Sequence, residues 1–349
     1  MRVLVTGGAG YIGSHTARLL KNSGYEPIIL DNLINGNREL ISKLNLPLII
    51  GDIGDKNLLK KIISGHHPFL NDKKPIKAIL HFAAITNVRD SIRSPLNYYM
   101  NNIMQSLNLL DVICDLSFCE NLNLNSPIPI IFSSSCATYG LPKKLPIDEL
   151  HEQIPISPYG ESKLFIEKVL KDLSISHGLT SFILRYFNVA GASQDSIIGE
   201  LRKEETHLIP LAIKAAINPE LVFKIYGNNY DTLDGTCIRD FIHVEDIALA
   251  HLLALNNLFN KDFVNKFNFY NVGSSKGFSV KEILSTVERI TNSSINIKEY
   301  PRREGDPPKL FASNQKIINQ LKWSQKYLSI EKIITDSFLW EKKLSKNYN

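Results

Sequence analysis

Residues 4–13 read Leu4-Val5-Thr6-Gly7-Gly8-Ala9-Gly10-Tyr11-Ile12-Gly13, an apolar run that passes straight into a glycine-rich turn. Glycines at 7, 10 and 13 have the spacing that lets a backbone approach a pyrophosphate closely. The helix that follows offers amide donors and the positive end of its dipole to the same group. Any tight turn favours glycine, so the surroundings have to decide between the two readings. Here a strand-like run precedes the turn, an amphipathic segment follows it, and Asp31 closes the next apolar run, Pro27-Ile28-Ile29-Leu30. A carboxylate at that place accepts hydrogen bonds from both ribose hydroxyls and repels a 2′-phosphate. No arginine follows it directly, so the expected cofactor is NAD rather than NADP.

Outward from this stretch the chain alternates short apolar runs with amphipathic segments, the pattern of an α/β fold with a doubly wound parallel sheet of the Rossmann type. Strands are expected at 3–6, 27–30, 48–50, 78–82, 128–132 and 181–185, and helices at 11–22, 101–114 and 159–173. Residues 65–77 and 120–129 are rich in Pro, Asn, His and Lys and read as loops. After about residue 187 the spacing becomes irregular, and residues 300–308 carry a dense charge cluster with three prolines. The expected organisation is an NAD-binding domain over 1–187 and a smaller mixed α/β substrate lobe over 188–349. Segments near 241–244 and 267–272 are expected to return to the first domain.

The 349 residues are 44% hydrophobic and 21% charged, the composition of a soluble globular protein. A net charge of +5 over this length, without a dense basic run, argues against nucleic acid as a partner. No apolar stretch approaches the ~20 residues that cross a bilayer, and no signal-peptide pattern precedes the first strand. Cys114, Cys119, Cys136 and Cys237 follow neither a zinc spacing nor a secreted disulfide pattern. No metal is expected, and the thiols point to a reducing cytoplasm.

The chemistry is expected at Tyr159 and Lys163, one helical turn apart in Tyr159-Gly160-Glu161-Ser162-Lys163. A free phenol has a pKa of ~10, too high for a base at neutral pH, and an ammonium on the same helix face favours the phenolate. On its own such a pair is usually a surface feature. Here it follows the serine cluster Ser133-Ser134-Ser135 at the end of an apolar run, where open α/β sheets bind ligands. Ser135 can then share a hydrogen bond with a substrate hydroxyl and the phenolate. Asp52, after the third strand, either accepts from an adenine amino group or is a turn aspartate.

With these residues in view, the chain resembles the extended short-chain dehydrogenase/reductase superfamily, and within it the UDP-glucose 4-epimerase (UDP-galactose 4-epimerase) family. The likeness runs nearly full length through VTGGAGYIGSH, ILDNL, GDI, HFAA, PLNYYMNN, FSSSCATYG, SPYGESK, RYFNVAGA, ETHLIPL, DGTCIRDFIHVEDIA and PRREGDPP. It implies an isomerase that inverts C4 of a UDP-sugar through a transient 4-keto sugar, with tightly bound NAD and no net redox change. By motif, it implies catalytic roles for Tyr159, Lys163 and Ser135. It also implies a cofactor site of Gly7, Gly10, Tyr11, Ile12, Gly13, Asp31, Asn32, Asp52, Ile53, Phe82, Ala83, Asn101, Lys163, Tyr186 and Phe187. The substrate site it implies comprises Ser135, Tyr159, Asn188, Leu208, Tyr226, Arg239, Arg303, Asp306 and Leu310. A guanidinium fork at Arg239 or Arg303 suits diphosphate oxygens. A homodimer through the helices at 101–114 and 159–173 is implied as well.

The chain departs from the family pattern at several positions. Thr86 stands where many relatives carry lysine or tyrosine, and Ala137 replaces a threonine. Thr206-His207-Leu208 replaces Asn-Asn-Leu. Leu310 occupies a position that gates the sugar pocket, where its size is intermediate between residues that exclude and residues that admit an N-acetyl group. The alternatives are therefore a 4-epimerase of UDP-N-acetylhexosamine or of UDP-xylose/UDP-arabinose. A nucleotide-sugar dehydratase fits less well, because Cys136 and Ala137 stand where elimination needs carboxylates. A non-catalytic NAD(P)-sensing regulator is disfavoured by the joint presence of Ser135, Tyr159 and Lys163.

Overall fold

The computed structural model describes residues 1–70, 72–260, 265–303 and 306–347, with side chains in the last helix described to residue 345. Residue 71 of the loop expected at 65–77, and residues 304–305 of the charge cluster, therefore lie outside the described residues.

Six strands, β1 (Arg2–Thr6), β2 (Glu26–Asp31), β3 (Leu48–Ile50), β4 (Ile79–His81), β5 (Ile130–Ser135) and β6 (Ser181–Tyr186), form one seven-stranded sheet with the strand Phe267–Val272. The order is Phe267–Val272, β6, β5, β4, β1, β2, β3. From β3 across to β5 every pairing is parallel. The expected α/β class is thus present. Strands of this kind are covered on both faces, so they read as unbroken apolar runs, and Val3, Leu4, Val5, Ile79 and Leu80 are fully buried. Chain order reverses at β1, which lies between β2 and β4, and the carboxyl ends at such a switch point are where open sheets bind ligands.

Two expectations need correction. The fifth strand runs over 130–135 instead of 128–132. Pro129 has no N–H for the ladder, so pairing starts at Ile130 and continues through the serines. The helix expected over 101–114 begins earlier: Pro95–Tyr98 runs into a π-helical turn, Tyr99–Met104, before Gln105–Cys114. By contrast, the helix Tyr11–Asn22 has the expected ends, and the helix expected over 159–173 is lengthened to Pro158–Ser176.

Shorter strands pair elsewhere. Asn188–Ala190 lies parallel to Phe241–His243, and Phe223–Tyr226 lies parallel to Ile297–Tyr300. Ile238–Arg239 is flanked by Phe278–Ser279 and Lys309–Leu310. The chain divides into two compact units, one of Met1–Thr138, Gln153–Arg185 and Ala248–Tyr270, the other of Tyr139–Glu152, Tyr186–Ile247 and Asn271–Asn349. This division is interleaved, with Ala248–Tyr270 in the first unit and Tyr186–Ile247, which includes the strand Phe241–His243, in the second. In the first unit the core gathers Leu30, Ile79, Leu109, Phe132, Ile166 and Ile183, and in the second Ile213, Ile225, Phe241, Ile283 and Ile334.

Gly7 shows how tightly the first turn is held. Its φ is +68°, and a Cβ there would stand 2.5 Å from the backbone N of Ala83. Replacing it therefore adds left-handed strain to a backbone clash that no rotamer relieves. Gly7→Ala is expected to cost about 2 kcal/mol or more of unfolding free energy in denaturant titrations. A cost below ~0.5 kcal/mol, within the range of neutral surface changes, would contradict the close approach.

Candidate active site

In the first unit, the glycine turn leads into the helix Tyr11–Asn22 as expected. Gly10 gives its start no side-chain cap, and the first turn holds no acidic residue. The positive end of the helix is therefore presented to an anion rather than neutralised by the protein. A Cβ on Gly10 would meet only the Gly7 carbonyl oxygen, at 3.2 Å, so this side of the turn is open to a ligand. Asp31, at the end of β2, accepts from the Ala9 and Leu33 amides, both at 2.9 Å. Burial pushes its carboxyl above the usual range, against the pull of those two amides. Each oxygen keeps a lone pair for a hydroxyl donor, and a buried carboxylate is a poor neighbour for a phosphate. These residues fit an NAD molecule.

Asn32 and Asp52 are brought together, with Asn32 Nδ2 donating to Asp52 Oδ2 at 3.1 Å. Asp52 Oδ1 also accepts from the Gly54 amide, which is turn geometry, and Ile53 beside it is buried. Phe82 and Ala83 follow β4, with Phe82 against the His251 ring and Ala83 against Gly7. Asn101 lies in the π-helical turn.

Its neighbour Asn102, absent from the sequence reading, is buried and fully engaged. It accepts from the Ile85 amide and donates to the Ile85 carbonyl and to Ser162 Oγ. Ser162 in turn donates to the Tyr159 carbonyl at 2.7 Å. A second chain of bonds meets Asn102 from below. Ser106 Oγ donates to the Asn102 carbonyl, so it can only accept from His81 Nε2. Burial, and secondarily the Lys163 charge, push the His81 imidazole down to about 3, which leaves it neutral. Its Nδ1 is then the acceptor for the Thr6 hydroxyl, at 2.7 Å. The asparagine doublet in PLNYYMNN was the signal available, but no spacing rule distinguishes which of the two points inward.

Tyr159 and Lys163 open the helix Pro158–Ser176, which starts with Ser157 accepting from the Gly160 amide and Pro158 in the first turn. A Cβ on Gly160 would lie 2.5 Å from the Ala137 carbonyl oxygen, so the helix start is pressed against the turn Cys136–Thr138 that follows β5. That contact carries Tyr159 to the end of β5, where Ser135 Oγ accepts from the Ala137 amide. Lys163 is 3% exposed and donates to the Ser133 carbonyl at 2.7 Å. Its Nζ lies 4.9 Å from the Phe132 ring centroid and 6.0 Å from that of Tyr159. Burial pulls the ammonium down to about 7, with Glu167 acting against the fall.

In the second unit, Arg239 forms an ion pair with Asp306, and the Asp306 amide donates to the Arg303 carbonyl. Arg303 stacks over Tyr226, 4.0 Å from the ring centroid. Leu310 is the register partner of Arg239, and the Asn188 amide donates to the Asp240 carbonyl. Six of the expected substrate residues are therefore neighbours. Leu208 packs against the apolar core of this unit. His207, just before it, occupies the N-cap position of the helix Leu208–Ile217 without a side-chain capping bond and lies 2.8 Å from the buried Glu200 carboxylate. Burial raises that carboxyl, but His207 and Arg202 outweigh it and hold it near 2. Tyr186 ends β6 and Phe187 follows it, both buried.

The depressed Lys163 proton has a thermodynamic consequence. An unfolded lysine keeps its proton to about its ordinary 10.5, whereas the folded one releases it near 7. Between those values the unfolded chain binds more protons, so this group makes stability rise with pH. The unfolding free-energy difference between Lys163→Met and the parent should accordingly shift in the parent's favour from pH 7 to pH 10. A difference independent of pH would show that Lys163 is not buried as described.

The arrangement has known counterparts. A model of the NAD dependent epimerase/dehydratase family matches residues 3–273. A UDP-glucose 4-epimerase of Rhizobium leguminosarum bv. trifolii is 42% identical over 342 residues, covering 98% of this chain and 97% of that protein. Among solved structures, UDP-glucose 4-epimerase from Brucella ovis in complex with NAD is 40% identical, with a TM-score of 0.86 and 97% of each chain covered. The UDP-Glc/GlcNAc 4-epimerase from Campylobacter jejuni is 39% identical, with a TM-score of 0.79 over 98% of this chain and 99% of that one. Similarity on this scale, over a sheet with its switch point at the glycine turn and a buried lysine beside a tyrosine, makes this chain a member of the NAD dependent epimerase/dehydratase family.

Proposed function

We propose that this chain interconverts UDP-glucose and UDP-galactose by inverting C4 through a transient 4-keto sugar, with NAD retained through the cycle. The observation that carries this reading is the buried Lys163 ammonium beside Tyr159, on a helix seated against the end of β5. Near full-length similarity to UDP-glucose 4-epimerases supports it. When bound, NAD supplies the hydride acceptor and donor for C4.

The chain's own residues do the rest. Gly7, Gly10, Tyr11, Ile12 and Gly13 hold the pyrophosphate at the helix start, and Asp31 and Asn32 hold the adenosine ribose. Asp52 and Ile53 flank the adenine, while Phe82, Ala83, Asn101, Tyr186 and Phe187 complete the cofactor site. Tyr159, as phenolate, takes the proton of the sugar 4-hydroxyl and later returns it. Ser135 shares that hydrogen bond. Lys163 favours the phenolate by its charge and bonds the nicotinamide ribose. Arg239 and Arg303 meet the diphosphate, with Asn188, Leu208, Tyr226 and Asp306 around the nucleotide, and Leu310 borders the sugar.

A second reading, a 4-epimerase of N-acetylated or pentose UDP-sugars, is favoured by Leu310 and Ala137, neither of which fills a pocket as a tyrosine or threonine would. The same enzyme chemistry serves both readings. We also place the protein in a reducing cytoplasm. In support, Cys114, Cys119, Cys136 and Cys237 are buried free thiols, and no described helix is long and apolar enough to cross a membrane. A homodimer is supported by apolar side chains that the run 95–114 and the helix Pro158–Ser176 leave exposed: Leu96, Met100, Met104 and Phe165.

Purified protein given UDP-galactose without added NAD should form UDP-glucose, and a panel with UDP-N-acetylgalactosamine and UDP-xylose should rank the sugars. If every UDP-sugar stayed unchanged, the epimerase reading would be lost. Tyr159→Phe should lower kcat by roughly 10²–10⁴-fold while NAD stays bound, the range of general acid–base contributions. Near-normal turnover would remove Tyr159 as the base. Light scattering should give twice the chain mass, and Met104→Glu with Phe165→Glu should halve it. An unchanged mass in the double variant would exclude this face.

A further inference from the structure

One buried charge has no part in the mechanism above. Glu167 lies one turn beyond Lys163 on the helix Pro158–Ser176 and is 3% exposed. Its carboxylate is held from three sides. Ser134 Oγ donates to Oε1 at 2.5 Å, and Arg185 Nη2 donates to Oε2 at 2.6 Å. Arg185 Nε reaches both oxygens at 3.1 and 3.2 Å, and Gln153 Nε2 donates to Oε2 at 3.1 Å. Ser134 stands between Ser133, whose carbonyl takes the Lys163 ammonium, and Ser135. Glu167 therefore links its helix both to the strand that carries the serines and to β6.

The groups around the Lys163 ammonium are few. Its own helix presents Tyr159 and Glu167. β5 presents the Ser133 carbonyl and the Phe132 ring, β4 the neutral His81, and β6 contributes Arg185 through its pairing with Glu167. Among the described residues, Glu167 is the anion whose charge acts on this ammonium. We propose that Glu167 is a positioning residue that keeps Lys163 protonated, and with it the Tyr159 phenolate in use, by holding a fixed negative charge one helical turn away.

The proposal rests on the Tyr159–Lys163 reading, and its experiment separates the two. The kcat–pH profile of the NAD-holding enzyme is measured for the parent, Glu167→Gln, Arg185→Gln and Ser134→Ala. Removing the anion should move the alkaline limb down by about one pH unit, seen as a ~10-fold loss of kcat on that limb. Removing the cation should move the same limb up. Ser134→Ala deletes a hydroxyl but no charge and should leave the limb in place. Opposite shifts in the two charge variants support the proposal, and either one suffices where the other does not fold. Profiles that superimpose after scaling, shifts of the same sign, or an equal shift in Ser134→Ala would assign Glu167 to packing alone and overturn it. Failure of the underlying reading shows separately, as an active Tyr159→Phe.

Discussion

A positive charge buried at Lys163 is the constraint around which the first unit is arranged. Lys163 is almost wholly enclosed, and an isolated ammonium in such surroundings would give up its proton. The fold answers with a backbone acceptor at Ser133, an aromatic face at Phe132 and an anion at Glu167. None of these works unless the helix Pro158–Ser176 sits at one height and rotation against β5. Gly160 sets the height by closing on the Ala137 carbonyl, and the Glu167–Arg185 pair sets the rotation.

That pair is a poor source of net stability, because two desolvated ions nearly offset their own attraction. Removing one partner is another matter and costs on the order of 3–5 kcal/mol, because the other is left buried and unpaired. Such a pair therefore tolerates little displacement, and this suits an element that must hold a tyrosine and a lysine in fixed positions. Asn102 performs the neutral counterpart of this task from the π-helical turn. By filling both hydrogen-bonding groups of Ile85 and bonding Ser162, it ties the segment after β4 to the same helix. The neutral His81, bonded at both ring nitrogens, carries the tie back to Thr6 at the edge of the glycine turn. The glycine turn and the helix Pro158–Ser176 are thus connected through hydrogen bonds between neutral groups.

The second unit meets its ligand chemistry differently. Arg239 and Arg303 are held by Asp306 and by the Tyr226 ring, so the two guanidinium groups are oriented within the protein itself. Oriented cations lose less entropy on binding than mobile ones. His207 adds a third basic group nearby in sequence to Leu208, held by Glu200 at the start of a helix.

Much of this was legible in the residues alone. The glycine spacing before Tyr11 and the acid after Leu30 are local patterns, and the helix Tyr11–Asn22 begins and ends where they say it should. Tyr159 and Lys163 are also a local pattern, since one helical turn sets their separation wherever the helix lies. Sequence alone therefore determined the α/β class, the glycine-rich turn and the one-turn spacing of Tyr159 and Lys163. Glu167, Arg185, Asn102 and His81 could not be found in that way, because each has a partner at least 18 residues distant in the chain, up to 75 for His81. A buried glutamate and a solvated one look alike in a helix until the strands beneath it are placed. Even the start of β5 depended on Pro129 meeting a ladder that only the assembled sheet provides. What the tertiary structure decided was which charges are buried, because burial depends on strands and helices that lie far apart in the chain.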